Sequence, residues 1–464
     1  MVIILIYCQI EACDDAVLVK LCQLEKRQIE AIMVICKPSK MKGMCCFCFY
    51  KHHKGNTMKK YPIGFWNYVD TNAQGPNDVK DWVDLGMTIA MSPGYNHEIH
   101  DKNALIEILD ACEDSGIKVI VVDSRGHRWG GASTNPNEYE KLFKEAYEDF
   151  GKHPAVIGFH IGDEPGTERV VDDCNAAYRT QLKVAPQLTP FINYCPYPHP
   201  FWRENRNETA FSDWAQNVIE QGGLKIICYD CYSQMRKSSY TDGGVEEYFT
   251  NLRLFTDAAE RAGISPWTTL LSVGHFHYRC PNVDEFRWQL NTAVASGMKG
   301  ILWFFVYERG QEANYRLAPI DAFGDRTETF TGLSRVNRSF LHQFGDFFLE
   351  AEHKATYHTG KQYGGYPLFV SGETSDIILD VDEEYVGLPA IVSFFEKDGE
   401  KFVVIVNNSM EESGCFRLHL SKDIKALQRL HWDGDFKDVE IHTKPDLIYS
   451  EWHAPGQMNV YKYK

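Results

Sequence analysis

From Tyr61 onward, short runs of continuous apolar residues alternate with longer stretches in which apolar positions recur every three or four residues. The first pattern fits strands buried on both faces, and the second fits amphipathic helices. Eight strands are predicted, at 62–68, 87–92, 118–123, 155–162, 190–194, 225–229, 268–273 and 300–306. Helical spacing is clearest at 102–115, 137–150, 245–262 and 283–296, as in the series Ala104, Ile106, Ile108, Leu109, Cys112. The pairs Ser115-Gly116, Ala262-Gly263 and Ser296-Gly297 supply helix stops before the next strand. Eight such alternations in about 290 residues predict a (β/α)8 TIM barrel. A doubly wound open sheet is the alternative, but no strand runs into a G-x-G-x-x-G turn.

Beyond Glu352 the helical period disappears and short alternating strands take over, at 377–381, 391–395, 402–406, 415–420, 439–442 and 459–463. Asp398-Gly399 between two apolar runs is a hairpin signal. The pattern predicts a C-terminal antiparallel β-sandwich over 353–464, packed on a catalytic barrel over 58–352. Residues 1–57 are expected to form no folded module. Their first seven residues are apolar but too short for a signal peptide and lack a basic start, and Met58-Lys59-Lys60 reads as a natural beginning. Cys45, Cys46, Cys48, His52 and His53 lack the second cysteine pair of a zinc module.

Composition narrows the class of function. The net charge of −16 argues against nucleic acid or an anionic membrane as partner, since both call for a basic surface. No apolar run approaches the roughly 18 residues of a spanning helix. Seven of the 14 cysteines fall in the first 57 residues and the others form no paired spacing. That distribution reads as reduced thiols, and a cytoplasmic location is expected. With 10 Trp, 24 Tyr and 27 Phe, the chain carries flat rings beyond those a core needs, and such rings serve as sugar-stacking platforms. No motif calls for a cofactor, and the oligomeric state is left open.

The stretch from Ala155 to Pro165 is the strongest chemical signal. An apolar strand ends in Asp163 and Glu164, followed by Pro165 and Gly166. In a parallel barrel the carboxyl ends of the strands open onto the active site. Regular alternation puts the two carboxylates on opposite faces, so one aims into the pocket. The competing reading makes both of them capping acids for a helix starting near Thr167. Past the other strands come Asp123, Asn193, Asp230 with Tyr232, His275 with His277, and Trp303 with Glu308. Acids, amides, imidazoles and rings suit carbohydrate, and glycosidic cleavage needs one protonated carboxyl and one ionised carboxylate. Glu164 is the expected acid, its pKa raised by enclosure and a negative neighbour.

Gly162-Asp163-Glu164-Pro165 resembles the Asn-Glu-Pro that closes strand four in clan A glycoside hydrolases, such as families 5 and 42. Ala454-Pro455-Gly456-Gln457 is similar to the last-strand signature of the sandwich these enzymes carry. The resemblance implies a retaining glycosidase fold with Glu164 as acid/base and position 163 holding the sugar. It departs in two places. Asp163 stands where the clan has Asn, and strand seven, ending in His275-Phe276-His277, lacks the expected nucleophilic Glu. Asp230 is the favoured replacement, then Glu308, with Asp123 third. Asp163, Asn193, Tyr232, His275, Trp303, Asp123 and Trp66 are expected to bind substrate, and Trp129 and Trp202 are further candidate platforms. The expected partner is an oligo- or polysaccharide or a glycoside. Two other readings stay open: a catalytically silent glycan-binding barrel, and a metal hydrolase built on His275 and His277, joined by His97, His100, His127 and His160.

Overall fold

Eight short apolar strands lie parallel in one sheet, so their carboxyl ends share a single rim. The computed structural model describes residues 58–127, 131–198, 207–310, 312–443 and 445–464. The expectations for residues 1–57, Trp129 and Trp202 lie outside the described residues. The barrel strands are β1 (Ile63–Phe65), β2 (Ile89–Met91), β3 (Lys118–Val121), β4 (Val156–Asp163), β5 (Phe191–Tyr194), β6 (Ile226–Asp230), β7 (Ser265–Leu271) and β8 (Gly300–Phe304). They hydrogen-bond in the order β1-β8-β7-β6-β5-β4-β3-β2. The ring is completed where the Thr88 amide donates to the Ile63 carbonyl at 2.8 Å and the Ile63 amide donates to Thr88 Oγ1 at 2.9 Å.

Helices alternate with these strands: α1 (Val79–Asp84), α2 (Lys102–Ser115), α3 (Pro136–Ala146), α4 (Glu168–Val184), α5 (Glu208–Gly222), α6 (Gly244–Ala262), α7 (Val283–Ala295) and α8 (Glu328–Phe340). Their ends follow the sequence signals. Asp101 caps α2 through the Asn103 amide at 2.9 Å, and Gly116, Gly263 and Gly297 all take positive φ just past helices. The N-cap of α4 is Thr167, whose hydroxyl accepts from Val170 at 3.4 Å. Asp163 and Glu164 are therefore free of that capping role. Among the described residues no helix is long and apolar enough to cross a membrane.

A short helix, α9 (Asp346–Glu350), leads into the β-sandwich. Its strands are β9 (Glu352–His358), β10 (Ile378–Glu383), β11 (Ala390–Lys397), β12 (Glu400–Asn407), β13 (Gly414–Leu420), β14 (Leu427–Leu430), β15 (Phe436–Asp438), β16 (Ile448–His453) and β17 (Met458–Tyr463). One sheet runs β10-β13-β16 and the other β15-β14-β17-β12-β11-β9, all antiparallel. Between them lie Ile378, Val392, Val403, Ile405, Phe416 and Leu418. Asp398 and Gly399 form the β11–β12 hairpin turn, both at positive φ. The strand expected at 439–442 is corrected: the Asp433-Gly434 turn closes the hairpin earlier, pairing Leu430 with Phe436. His442 makes only an isolated bridge to Ile448.

The sandwich sits on α7. Trp288 Nε1 donates to Asn408 at 3.0 Å, Asn291 donates to the Gly456 carbonyl at 2.9 Å, and Arg287 Nε donates to the Pro455 carbonyl at 2.7 Å. Gly456 has φ +64, and a Cβ there would lie 2.5 Å from Trp288 Cα. Only glycine permits this approach. The Ala454-Pro455-Gly456-Gln457 motif is thus the joint between sandwich and barrel.

Candidate active site

Side chains alternate inward and outward along each strand, so the parity of its last residues decides what reaches the mouth. In β8, Phe304 turns inward, and its ring meets Tyr68, Tyr232 and His275 at centroid distances of 5.8, 5.3 and 5.2 Å. Trp303 turns outward. It is fully buried beside Phe286 of α7, and its Nε1 donates to Asn337 of α8 at 3.0 Å. Trp303, expected to be a sugar platform, is thus buried outside the barrel, and the ring that β8 brings to the mouth is Phe304.

In β4 regular alternation would send Asp163 outward with Phe159, whose ring packs on Phe143 of α3. The pairing of β4 with β5 shifts register between His160 and Gly162. This irregularity turns Asp163 inward. Its carboxylate accepts from Asn193 Nδ2 at 3.0 Å, and the same nitrogen donates to Asp230 at 2.8 Å. Asn193 Oδ1 accepts from Thr269 Oγ1 and from Cys228 Sγ, each at 3.5 Å. The amide's partners all lie inside the barrel, so Asn193, expected to bind substrate, is placed to position the two acids.

The electrostatics follow from this enclosure. Burial pushes the Asp163 carboxyl up to about 7; the Asn193 hydrogen bond holds it down and the Glu164 charge adds to the rise. Burial raises Asp230 well above the ordinary carboxylate value, with Glu164 and Asp163 adding to it and hydrogen bonds from Asn193 and Tyr232 opposing. The charge of Asp163 acts on Asp230 in a poorly solvated space and disfavours its ionisation.

Glu164 is placed differently from the sequence expectation. It is solvent-exposed, with φ +44, and its amide donates to the Asn193 carbonyl at 2.8 Å. The enclosure expected to act on Glu164 falls on Asp163 and Asp230 instead. Glu164 still belongs to the cluster, because its charge acts on Asp163, Asp230, Tyr232 and Cys195.

Rings line the mouth around these acids. Tyr68 is 39% exposed and stacks on Trp66 with centroids 5.9 Å apart. Trp66 itself is buried beneath it, and its Nε1 donates to Thr269 at 3.1 Å. Trp66 is therefore corrected from a substrate contact to the floor under Tyr68. Tyr232 lies stacked on Phe304 and edge-on to His275. His275 is buried among Tyr232, Tyr278, Phe304 and Tyr315, and burial lowers its pKa to about 4, so the ring is neutral. Tyr68, Phe304, Tyr278 and Tyr315 were missed in the sequence. The Trp66-x-Tyr68 alternation was the available signal for the first of them.

Two further candidates are corrected. Asp123 is fully buried and grips Arg125, with Oδ2 accepting from Nη2 at 2.7 Å and Oδ1 from Nε at 3.1 Å. It is a structural ion pair at the end of β3. Glu308 has its amide tied to the Ile320 carbonyl at 2.8 Å, and among the described residues no contact joins it to the acidic cluster. Its neighbour Tyr307 accepts from Trp82 of α1 on the outside of the barrel. Among the described residues the group of side chains spaced to hold a metal ion is Asp110, Glu113 and His153. These lie on α2 and just before β4, at the opposite end from the mouth. His160 lies inside the barrel, edge-on to Trp66 at 5.3 Å and with His127 at 4.9 Å, and burial lowers its pKa to about 3.

No protein-family profile matches the chain. The structure is similar to a glycoside hydrolase family 5 protein of Bacteroides vulgatus, at 11% identity and a TM-score of 0.52, over 87% of this chain and 88% of that one. It is also similar to a second structure described as a glycoside hydrolase, at 12% identity and a TM-score of 0.51, over 87% and 92%. At these identities the likeness is one of fold, a barrel followed by a β-sandwich. In sequence, 101 residues are 31% identical to the β-galactosidase BglY of Alicyclobacillus acidocaldarius, covering 20% of this chain and 14% of that protein. The chain thus matches about a seventh of that relative's length.

Proposed function

We propose that the protein is a glycoside hydrolase that cleaves O-glycosidic bonds at the carboxyl-end mouth of its barrel. The observation that carries this reading is the trio Asp163, Glu164 and Asp230, two of them enclosed on one amide and the third open to solvent. Glycoside hydrolysis needs a proton at the departing oxygen and a carboxylate at the anomeric carbon or its water. Asp230 supplies the first. Its burial and its two acidic neighbours raise its pKa well above the ordinary carboxylate value and so favour the protonated form. Glu164 supplies the second, as nucleophile or as base toward water. The charge of Asp163, held beside Asp230 by the same amide, favours the protonated form of Asp230. Tyr68, Tyr232 and Phe304 offer flat faces for the C–H side of a sugar.

The whole-length likeness to a family 5 glycoside hydrolase supports the same chemistry, as does the short match to a β-galactosidase. A screen of the full chain against aryl glycosides of common hexoses and pentoses, in both anomers, tests the reading. Release of aglycone that falls about 10²-fold or more in Asp230→Asn agrees with it.

A second reading, a barrel that binds glycans without cleaving them, rests on one observation. The turn after β7 brings neutral His275 to the mouth where a carboxylate is expected. It predicts sugar binding with no turnover in the same screen.

A further inference from the structure

Arg309 lies past β8 at the edge of the mouth. It is exposed, and its guanidinium carbon sits 4.1 Å from the centre of the Tyr68 ring and 5.3 Å from that of Tyr315. Nη1 makes a single long contact, 3.4 Å, with the Tyr315 hydroxyl. Among the described residues Arg309 forms no ion pair, in a chain with 64 acidic residues against 48 basic ones. The nearby acids have not drawn it in. Asp163 and Asp230 take their hydrogen bonds from Asn193 instead. Tyr68 stands between the two charge systems: burial raises its phenol pKa most, Asp163 and Asp230 add to the rise, and Arg309 opposes it. The guanidinium is thus held by its face against rings, which fixes its orientation, while most of its N–H edge stays unspent.

We propose that Arg309 forms an anion-binding edge of the mouth, and that the sugar bound there carries an acidic substituent whose oxygens take the guanidinium N–H groups. The substituent class is an oxyanion: a uronate carboxylate, or a sulfate or phosphate ester. Planar, paired N–H donors match such groups better than a lysine would. The inference rests on reading the mouth as a sugar site. It adds that site's substrate class, and it explains why Arg309, without an ion pair among the described residues, is held against the rings of the mouth.

The test compares binding of glucuronate, galacturonate, glucose 6-sulfate and glucose 6-phosphate with that of glucose and galactose. The full chain is titrated at low salt and followed by calorimetry and ligand-observed NMR. The acidic sugars are expected to bind about tenfold more tightly than their neutral counterparts. Arg309→Met should abolish that preference, while Arg335→Met, an exposed arginine on α8, should keep it. The strongest of the acidic probes identifies the substituent. Equal binding of neutral and acidic sugars overturns the inference. So does a preference that survives Arg309→Met, a loss as large in Arg335→Met, or no binding of any acidic probe. Arg309-dependent binding without hydrolysis of any aryl glycoside leaves the inference standing and removes the catalytic reading. Hydrolysis of neutral glycosides with no Arg309-dependent preference does the reverse.

Discussion

Asn193 donates to Asp230 at 2.8 Å from the same nitrogen that serves Asp163 at 3.0 Å, so one neutral amide sets the direction of both enclosed carboxyls. Replacing it takes one of two donors from buried Asp230, which keeps Tyr232, and the amide donor from half-buried Asp163. Asn193→Ala should cost about 2–4 kcal/mol of folding stability, more than an ordinary side-chain hydrogen bond. Urea denaturation at pH 7 measures this, and a loss under about 1 kcal/mol would show that water replaces the amide.

The raised carboxyls give stability a definite dependence on pH. An aspartate in the unfolded chain titrates near 3.9, while Asp163 in the fold titrates at about 7. Between these values the folded state holds a proton that the unfolded state has lost, so the contribution of Asp163 is present at pH 4 and falls away as pH rises to about 7. Asp230 acts in the same direction. His160 and His275 act oppositely: lowered to about 3 and about 4, they favour the fold above pH 6.5 and weaken it as pH falls toward those values. The wild-type curve mixes both effects. The difference between wild type and Asp163→Asn isolates the acid, and wild type should lose ground to the variant steadily from pH 4 to pH 7.

Neighbouring rings on β8 should separate cleanly in kinetics. Phe304→Ala removes a ring at the mouth and should raise KM about tenfold with a smaller effect on stability. Trp303→Phe removes an indole buried between helices, with its bond to Asn337. It should lower the unfolding midpoint and leave KM alone. Parallel KM and melting measurements on the two variants would contradict the assignment if the effects were exchanged.

Asp123 and Arg125 form a buried pair away from the acidic cluster. Arg125→Met strands a buried carboxylate, which also loses the partner that bridges it to Asp149. A destabilisation of about 3–5 kcal/mol is expected, with specific activity of the folded fraction retained. Loss of activity without loss of stability would return Asp123 to the list of groups that touch substrate.

The architecture was legible because its signals are local. Continuous apolar runs marked the buried parallel strands, glycines marked helix ends, and Asp398-Gly399 marked a hairpin. The rim was legible only in its membership. Asp163, Glu164, Asn193, Asp230, Tyr232 and His275 all gather at the mouth, but their roles depend on facts that spacing does not encode. The register shift in β4 reverses the parity of Asp163 and hands it the enclosure expected for Glu164. Phe304 and Trp303 are adjacent rings, and only the strand's rotation decides which faces the mouth. Asp123 looked like a rim acid because its partner, two residues on, reads in the sequence as any other arginine. Glu308 stands apart from the acidic cluster among the described residues, because Tyr307 and Ile320 fix the backbone there in a direction no periodicity predicts.

The central claim is that Asp230 gives the proton and Glu164 completes the reaction. The most direct measurement is kcat/KM for Asp230→Asn and Glu164→Gln across aryl glycosides of graded leaving-group acidity. With the acid gone, Asp230→Asn should lose about 10²–10⁴-fold on phenols of high pKa and far less on dinitrophenols, whereas Glu164→Gln should lose similarly on all. The account is contradicted if Asp230→Asn stays as active as wild type on the poorest leaving groups, or if the two variants exchange these signatures.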